Sequence, residues 1–135
     1  MQVLLIVTLV LHVLTGVFWA GTTFTLALTV GAHADRLFRP QMGAAVVVVL
    51  TGALLWHLAH RDAFGTAEQL LAVGALGAMA AAGVQGMVTG PVLRKRATGS
   101  GTELSALHAR MVTGQRVAAG LLAVAVVCMA AARYA

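Results

Sequence analysis

Charge is scarce in this chain of 135 residues. Only 10% of the residues are Asp, Glu, Lys or Arg, whereas soluble domains carry about 25%. Hydrophobic residues make up 60% of the chain, and its mean hydropathy is +0.92. No formally charged residue stands between Met1 and Ala34. This composition excludes an ordinary soluble domain and predicts an integral membrane protein.

Cysteine and acidic residues are also rare. The single cysteine, Cys128, cannot form an internal disulfide and matches no paired-thiol metal spacing. Four acidic residues stand against nine Lys and Arg, an excess that suggests a nucleic-acid partner in a soluble protein. Here the basic residues cluster between apolar runs, which is typical of membrane topology. We therefore expect lipid, and no nucleic acid, as the partner of these charges.

Four apolar stretches dominate the chain, each near or beyond the ~20 residues needed to cross a bilayer. They cover residues 3–32, 41–59, 66–92 and 106–132. Because the connections are short, we predict an all-α, integral membrane, antiparallel four-helix bundle that forms a single domain over residues 1–135. The first and third connections carry most of the basic residues, which places them in the cytoplasm and both termini on the outer side. The expected location is the inner membrane of a bacterium.

Polar side chains occur inside these spans, where they are costly against lipid and indicate a functional site. Helical spacing puts several of them on one face of the first span, which we expect to point into the bundle. This face carries Thr8, His12, Thr15, Gly16, Trp19 and Thr23.

His12 is predicted to lie at the same depth as two further histidines. Folding the chain about its first connection brings His12 level with residues 59 and 60, and so with His57 and His60. The latter two are separated by three residues and share a face of the second span. The same arithmetic adds further polar or sulfur-bearing side chains to this outer layer. They are Glu68, Gln69, Cys128 and Met129.

Three interpretations fit this outer layer. In the first, imidazoles from facing helices ligate the iron of haem b, with Gly16 leaving room for a porphyrin edge and Trp19 beside the site. In the second, His12, His57 and His60 bind copper together with a nearby thioether or thiol. In the third, the histidines only make hydrogen bonds between helices or lie at the membrane interface.

The inner half of the bundle offers another polar layer. Arg116 lies about ten residues, or ~15 Å, into the fourth span and needs a water-filled cavity or an anionic partner such as a carboxylate, a phosphate or a haem propionate. His108 and Gln115 share a face, which indicates an inner pocket where His33 or His108 would be the ligand instead. The alternative is a later start of the fourth helix, so that Arg116 reaches the headgroups.

Small residues recur at intervals of four along the third span. They are Gly74, Ala78, Ala82, Gly86 and Gly90. Such a stripe lets another helix backbone approach closely. It also allows a different class of function, a non-catalytic membrane subunit that assembles as a homodimer or in a larger membrane complex.

The first span resembles a known family. Its pattern of Leu11-His12, Trp19, Gly21, Phe24, Val30 and His33 is similar to the first helix of the HemJ-type protoporphyrinogen oxidases and of the related copper-resistance D-type membrane domains. The segment VVVVLTGALLW, with its Thr51-Gly52 pair, is similar to the copper-resistance D pattern. The resemblance implies a four-helix haem b protein with His12 as axial ligand and, for the oxidase, removal of hydrogens from a tetrapyrrole.

The expected function is therefore that of a haem b-binding membrane oxidoreductase, acting in electron transfer or tetrapyrrole oxidation. Its expected cofactor residues are His12, His57, His60, Gly16, Trp19 and Arg116. Copper binding or transport, and assembly as a subunit without catalysis, are the alternatives.

Overall fold

The fold is all-helical over the residues that the structure, a computed structural model, describes: 1–30, 33–59, 65–96 and 102–135. The helices are α1 (Gln2–Leu28), α2 (Ala34–Ala59), α3 (Thr66–Val84), α4 (Gly90–Arg96) and α5 (Thr102–Ala131). A π-helical turn, Gln85–Thr89, joins α3 to α4, and a 3-10 turn, Ala132–Tyr134, follows α5. Because α3, the π turn and α4 run on without a break, the described residues form four long helices. This confirms the prediction of an all-helical, four-helix protein.

Each of the four long helices is long and apolar enough to cross a membrane, judged by length and composition. Their limits differ from those of the apolar stretches. The first helix ends at Leu28 rather than at residue 32, and Val30 and His33 take positive φ angles of 55° and 65° that do not continue a right-handed helix. The second begins at Ala34 rather than at residue 41, because polar residues extend it beyond the apolar run.

The helices pack unevenly around a core of small side chains. α1 lies against α2 and α5, and α3 lies against α5, whereas α2 and α3 have few contacts with each other. The centre is filled by one large ring, Trp19, and by mostly small or branched residues such as Val48, Ala81 and Ala118. The side of the bundle between α2 and α3 is consequently the most open one.

Glycines permit the close approach of α3 and α5. A Cβ added at Gly74 would lie 3.1 Å from the carbonyl oxygen of Ala125, and one at Gly77 would lie 3.3 Å from that of Leu121. These distances leave no room for larger side chains, as the small-residue stripe predicts. Steps of four residues advance around a helix by about 40° each, so the stripe winds away from α5. A Cβ at Gly86, farther along, meets nothing within 4 Å.

The π turn ends two residues before Pro91, with Gly90 between them. In this turn the N–H of Gly90 donates to the carbonyl of Gln85, five residues earlier. Pro91 has no N–H, so the normal helical bond to the carbonyl of Met87 is absent. π turns inside α-helices are rare and are often found at functional sites. This one carries two fully buried polar side chains, Gln85 and Thr89.

Candidate functional site

His12 of α1 is held against α2 by one of its two ring nitrogens. Nδ1 lies 3.1 Å from the carbonyl oxygen of Val48 and 2.9 Å from Oγ1 of Thr51. A carbonyl oxygen only accepts, so Nδ1 of the neutral ring carries the proton. The Thr51 hydroxyl donates its own proton to the carbonyl of Val47 at 2.6 Å and is free to accept from Nδ1. Nε2 therefore keeps its lone pair for a ligand.

The neighbouring glycine makes room for the imidazole. A Cβ at Gly52 would lie 3.2 Å from Cε1 and 3.7 Å from Nδ1 of His12. The Thr51-Gly52 pair thus has two complementary effects. Thr51 orients the ring through a hydrogen bond, and Gly52 lets the ring lie close to the α2 backbone.

His12 also lines a groove on the open side of the bundle. Two adjoining cavities of about 220 and 290 Å³ share residues from all four long helices. The shared lining residues are His12, Gly52, Trp56, Ala75 and Met129. We call this the histidine groove. Its other described lining residues are apolar, and the metal-binding groups of this lining are His12 Nε2 and the thioethers of Met129, which lines both cavities, and of Met79, which lines one.

The other predicted ligands lie elsewhere or outside the described residues. The side chain of His57 is exposed on α2, and His60 falls within 60–64, outside the part of the chain that the structure describes. Gly16 faces α2, where an added Cβ would be 3.9 Å from Cγ2 of Val48. Arg116 is exposed on α5. In the described ranges, no group of three or more His, Cys, Asp or Glu side chains is placed to hold a metal ion.

A second polar cluster lies in the interior, where all four long helices meet. Its members are at most 1% exposed, although each lies in an apolar span. They are Trp19, Thr23, Gln41, Gln85, Thr89 and Gln115. We call this cluster the amide network.

Gln85, in the π turn, is the centre of the amide network. Its Oε1 accepts from Nε1 of Trp19 at 2.8 Å. Its Nε2 donates to Oγ1 of Thr23 at 2.9 Å and to Oε1 of Gln115 at 3.1 Å. Gln115 Nε2 in turn donates to Oγ1 of Thr89 at 3.2 Å. One side chain thereby links the first, third and fourth long helices.

Gln41 connects the second long helix to the same network. Its Nε2 donates to Oγ1 of Thr23 at 2.8 Å, while Thr23 donates to the backbone carbonyl of Trp19, also at 2.8 Å. The other amide atom, Gln41 Oε1, is buried and has no hydrogen-bond partner among the residues that the structure describes. A buried acceptor without a partner costs about 1–3 kcal/mol.

Sequence reasoning located some members of the amide network and missed others. Trp19 and Thr23 belong to the face of α1 that was predicted to point inward, and Gln115 was expected in an inner pocket. Gln41 and Gln85 were missed, although each is a lone amide in an apolar run. His108, the predicted neighbour of Gln115, is only partly buried.

No family model matches the chain, and comparisons with curated proteins and with solved structures find no similar protein.

Proposed function

We propose that this chain is an integral membrane protein that binds haem b in the histidine groove, with His12 as an axial ligand, and that it takes part in electron transfer. The first support comes from the outside of α1, which exposes large apolar side chains all along its length. They include Val3, Leu4, Ile6, Val7, Leu9, Val10, Leu11, Val13, Leu14, Val17 and Phe18. Soluble proteins rarely expose an apolar surface of this extent, whereas lipid tails accommodate it.

The charges support an orientation in that membrane. Arg36 and Arg39 near the start of α2, and Arg94 and Lys95 near the end of α4, are exposed at the same end of the bundle. The positive-inside rule assigns this end to the cytoplasm and both termini to the outer side. In a bacterial inner membrane, the histidine groove would then lie in the outer half of the bilayer.

The observation that carries the haem proposal is the state of the His12 ring. Metal-ligating histidines usually donate their second ring nitrogen to a carbonyl or another acceptor, which fixes the tautomer and the ring orientation. His12 has this arrangement, since Nδ1 is within hydrogen-bond distance of Val48 and Thr51. Haem requires only one or two axial ligands, and a His and Met pair is one known combination. Met129 lines the same groove and is the second candidate.

The groove walls suit a flat apolar macrocycle. Ala75 leaves part of the wall nearly bare, and Trp56 provides an aromatic surface. Bound haem would supply one-electron chemistry at its iron. The contribution of the protein is to hold the imidazole of His12 in one tautomer, to offer the Met129 thioether, and to keep water away with apolar walls.

Electron transfer is favoured over the other interpretations by the composition of the groove. Its described lining residues include no acid or base besides His12 that would move protons to or from a tetrapyrrole. A copper site generally needs several ligands. In the described ranges the groove offers one imidazole, His12, and two thioethers, Met79 and Met129, with no second histidine and no thiol among its lining residues.

The test is the visible spectrum of the protein purified from haem-sufficient cells. A Soret band is expected in the wild type and in the control His57→Ala, because His57 is exposed. The band should be lost or shifted in His12→Ala. Gly52→Val should also weaken it by displacing the imidazole, whereas Gly43→Val should not, since a Cβ at Gly43 meets nothing within 4 Å.

Two outcomes would refute the proposal. One is a wild-type protein without a Soret band under conditions that preserve haem. The other is a band of unchanged position and intensity in His12→Ala. Iron and copper contents of the same samples decide between haem and copper.

A further inference from the structure

A separate cavity of about 1000 Å³ lies between α2 and the third long helix, at the end of the bundle where the basic residues cluster. Its lining residues are Asp35, Phe38, Arg39, Gly86, Gly90, Leu93 and Arg94. None of them lines the histidine groove, so this basic cavity is a second and independent space.

Two guanidinium groups from different helices line the basic cavity. Arg39 comes from α2 and Arg94 from α4, and both side chains are exposed. Neither is paired with a carboxylate among the residues that the structure describes. Asp35 is the one acidic side chain among the described lining residues, against two arginines, so positive charge is in excess there. The planar fork of arginine suits the oxygens of a phosphate group, which it can bind through two parallel hydrogen bonds.

The part of the cavity nearer the middle of the bundle is apolar and is not filled by side chains at the level of Gly86. Gly86 lies eight residues before Arg94, which corresponds to about 12 Å of helix rise. A Cβ added at Gly86 would meet nothing within 4 Å, so the wall is bare at this level. Between the two levels the ring of Phe38 lies against Gly90, where an added Cβ would be 3.3 Å from Cζ of the ring, and Leu93 adds apolar surface next to Arg94. The cavity is therefore cationic towards the end of the bundle and apolar towards its middle.

We propose that the basic cavity binds a phosphate-bearing anionic amphiphile. Its phosphate lies between Arg39 and Arg94, and its apolar part extends past Phe38 towards Gly86. The phosphate can belong to an anionic phospholipid of the surrounding leaflet or to a soluble phosphate compound, and the two sources share the same recognition chemistry. This site does not depend on haem binding in the histidine groove.

The test compares two charge-matched double variants in detergent solution. Binding of a short-chain phosphatidylglycerol is measured by native mass spectrometry for the wild type, Arg39→Gln with Arg94→Gln, and Arg36→Gln with Arg110→Gln. Arg36 and Arg110 are exposed and lie outside the cavity lining. We expect affinity to fall about tenfold or more in the first double variant, since charge-assisted bonds are lost. In the second it should stay within about twofold.

A space-filling variant tests the apolar part without changing charge. Gly86→Leu should weaken phosphatidylglycerol binding, whereas Gly120→Leu should not, since a Cβ at Gly120 also meets nothing within 4 Å and lies on α5 away from the cavity. Far-UV circular dichroism and gel filtration show whether each variant keeps its fold, and binding is compared only between folded proteins.

The outcomes separate the two sources and define failure. Binding that inorganic phosphate does not displace supports a lipid as the ligand, whereas full displacement supports the same site with a soluble phosphate. Equal weakening by the two charge-matched double variants would overturn the proposal, because general surface charge would then explain the binding. Equal affinity for phosphatidylglycerol and the zwitterionic phosphatidylcholine would overturn it as well.

Discussion

Replacing Gln85 by Leu should destabilise the bundle more than any similar change at its surface. The substitution replaces the amide by an apolar side chain of similar size and leaves two buried groups without the partners they have in the wild type, Nε1 of Trp19 and Oε1 of Gln115. Each such group costs about 1–3 kcal/mol, and interhelical hydrogen bonds in membrane proteins average about 0.6 kcal/mol with values up to about 1.7. We therefore expect the free energy of unfolding to fall by about 2–4 kcal/mol.

The assay is reversible unfolding in mixed micelles with increasing sodium dodecyl sulfate, followed by far-UV circular dichroism. Gln69→Leu on α3 is the matched control, because Gln69 is exposed and the change should stay within about 0.5 kcal/mol. Trp19→Phe combined with Gln85→Leu should cost less than the sum of the single changes, by about 1 kcal/mol, since the pair is removed together. Equal losses for Gln85→Leu and Gln69→Leu would refute the central role assigned to Gln85.

Two further substitutions test the orientation of His12 and the packing of α3 on α5. Thr51→Val removes one of two acceptors of the His12 Nδ1 proton and should weaken haem binding about tenfold, as measured by haem titration. The control is Thr25→Val, on the exposed side of α1, and equal affinities of the two variants would show that Thr51 does not orient the ring. Gly74→Leu should destabilise the protein by about 1–3 kcal/mol, because an α5 carbonyl oxygen lies 3.1 Å from the new Cβ. In the same unfolding assay the control Gly43→Leu should be nearly neutral, since a Cβ at Gly43 meets nothing within 4 Å. An equally neutral Gly74→Leu would contradict the packing of α3 on α5.

The four-helix fold was predictable from the sequence because its signals are local and strong. Long apolar stretches and short connections determine the number of helices. The ends of the helices were not predictable from apolar residues alone, since α2 begins in polar sequence at Ala34. The π turn was not predicted either. Pro91 indicates a disturbance of the helix, but only the full structure shows that an extra residue is accommodated in Gln85–Thr89.

The two sites differ in how far the sequence could indicate them. Helical spacing showed that Trp19 and Thr23 share an inward face, and both are buried. The depth predicted for His12 was wrong: it was expected level with residues 59 and 60, but its ring lies against Val48 and Thr51. The reason is that the first turn is centred near residue 31, between the end of α1 at Leu28 and the start of α2 at Ala34, and not near residues 35 and 36.

Some contacts of the amide network could be predicted by estimating the depth of each polar residue from the sequence. Folding about residues 35 and 36, as for the histidines, puts Gln41 level with residue 30, about 10 Å of helix rise from Thr23. Folding about residue 31, midway between the end of α1 and the start of α2, brings Gln41 within two residues of the level of Thr23.

The depth estimate made from the third connection is more accurate. Folding about it brings Gln85 level with Gln115, and the two amides are hydrogen-bonded. Of this pair only Gln115 was predicted to line a pocket, although Gln85 is equally a polar group in an apolar span and hydrocarbon penalises any unpaired polar group. The same depth estimate, applied to Gln85 as well as to Gln115, would have predicted that the third long helix and α5 meet at these two amides.

The most direct test of the central proposal is chemical rescue at His12. His12→Gly removes the imidazole and leaves a space of its size beside Gly52. We predict that this variant is purified folded but depleted of haem, and that adding haem together with free imidazole restores a Soret band close to that of the wild type. A His12→Gly protein with the haem content and spectrum of the wild type, in the absence of imidazole, would contradict His12 as the axial ligand.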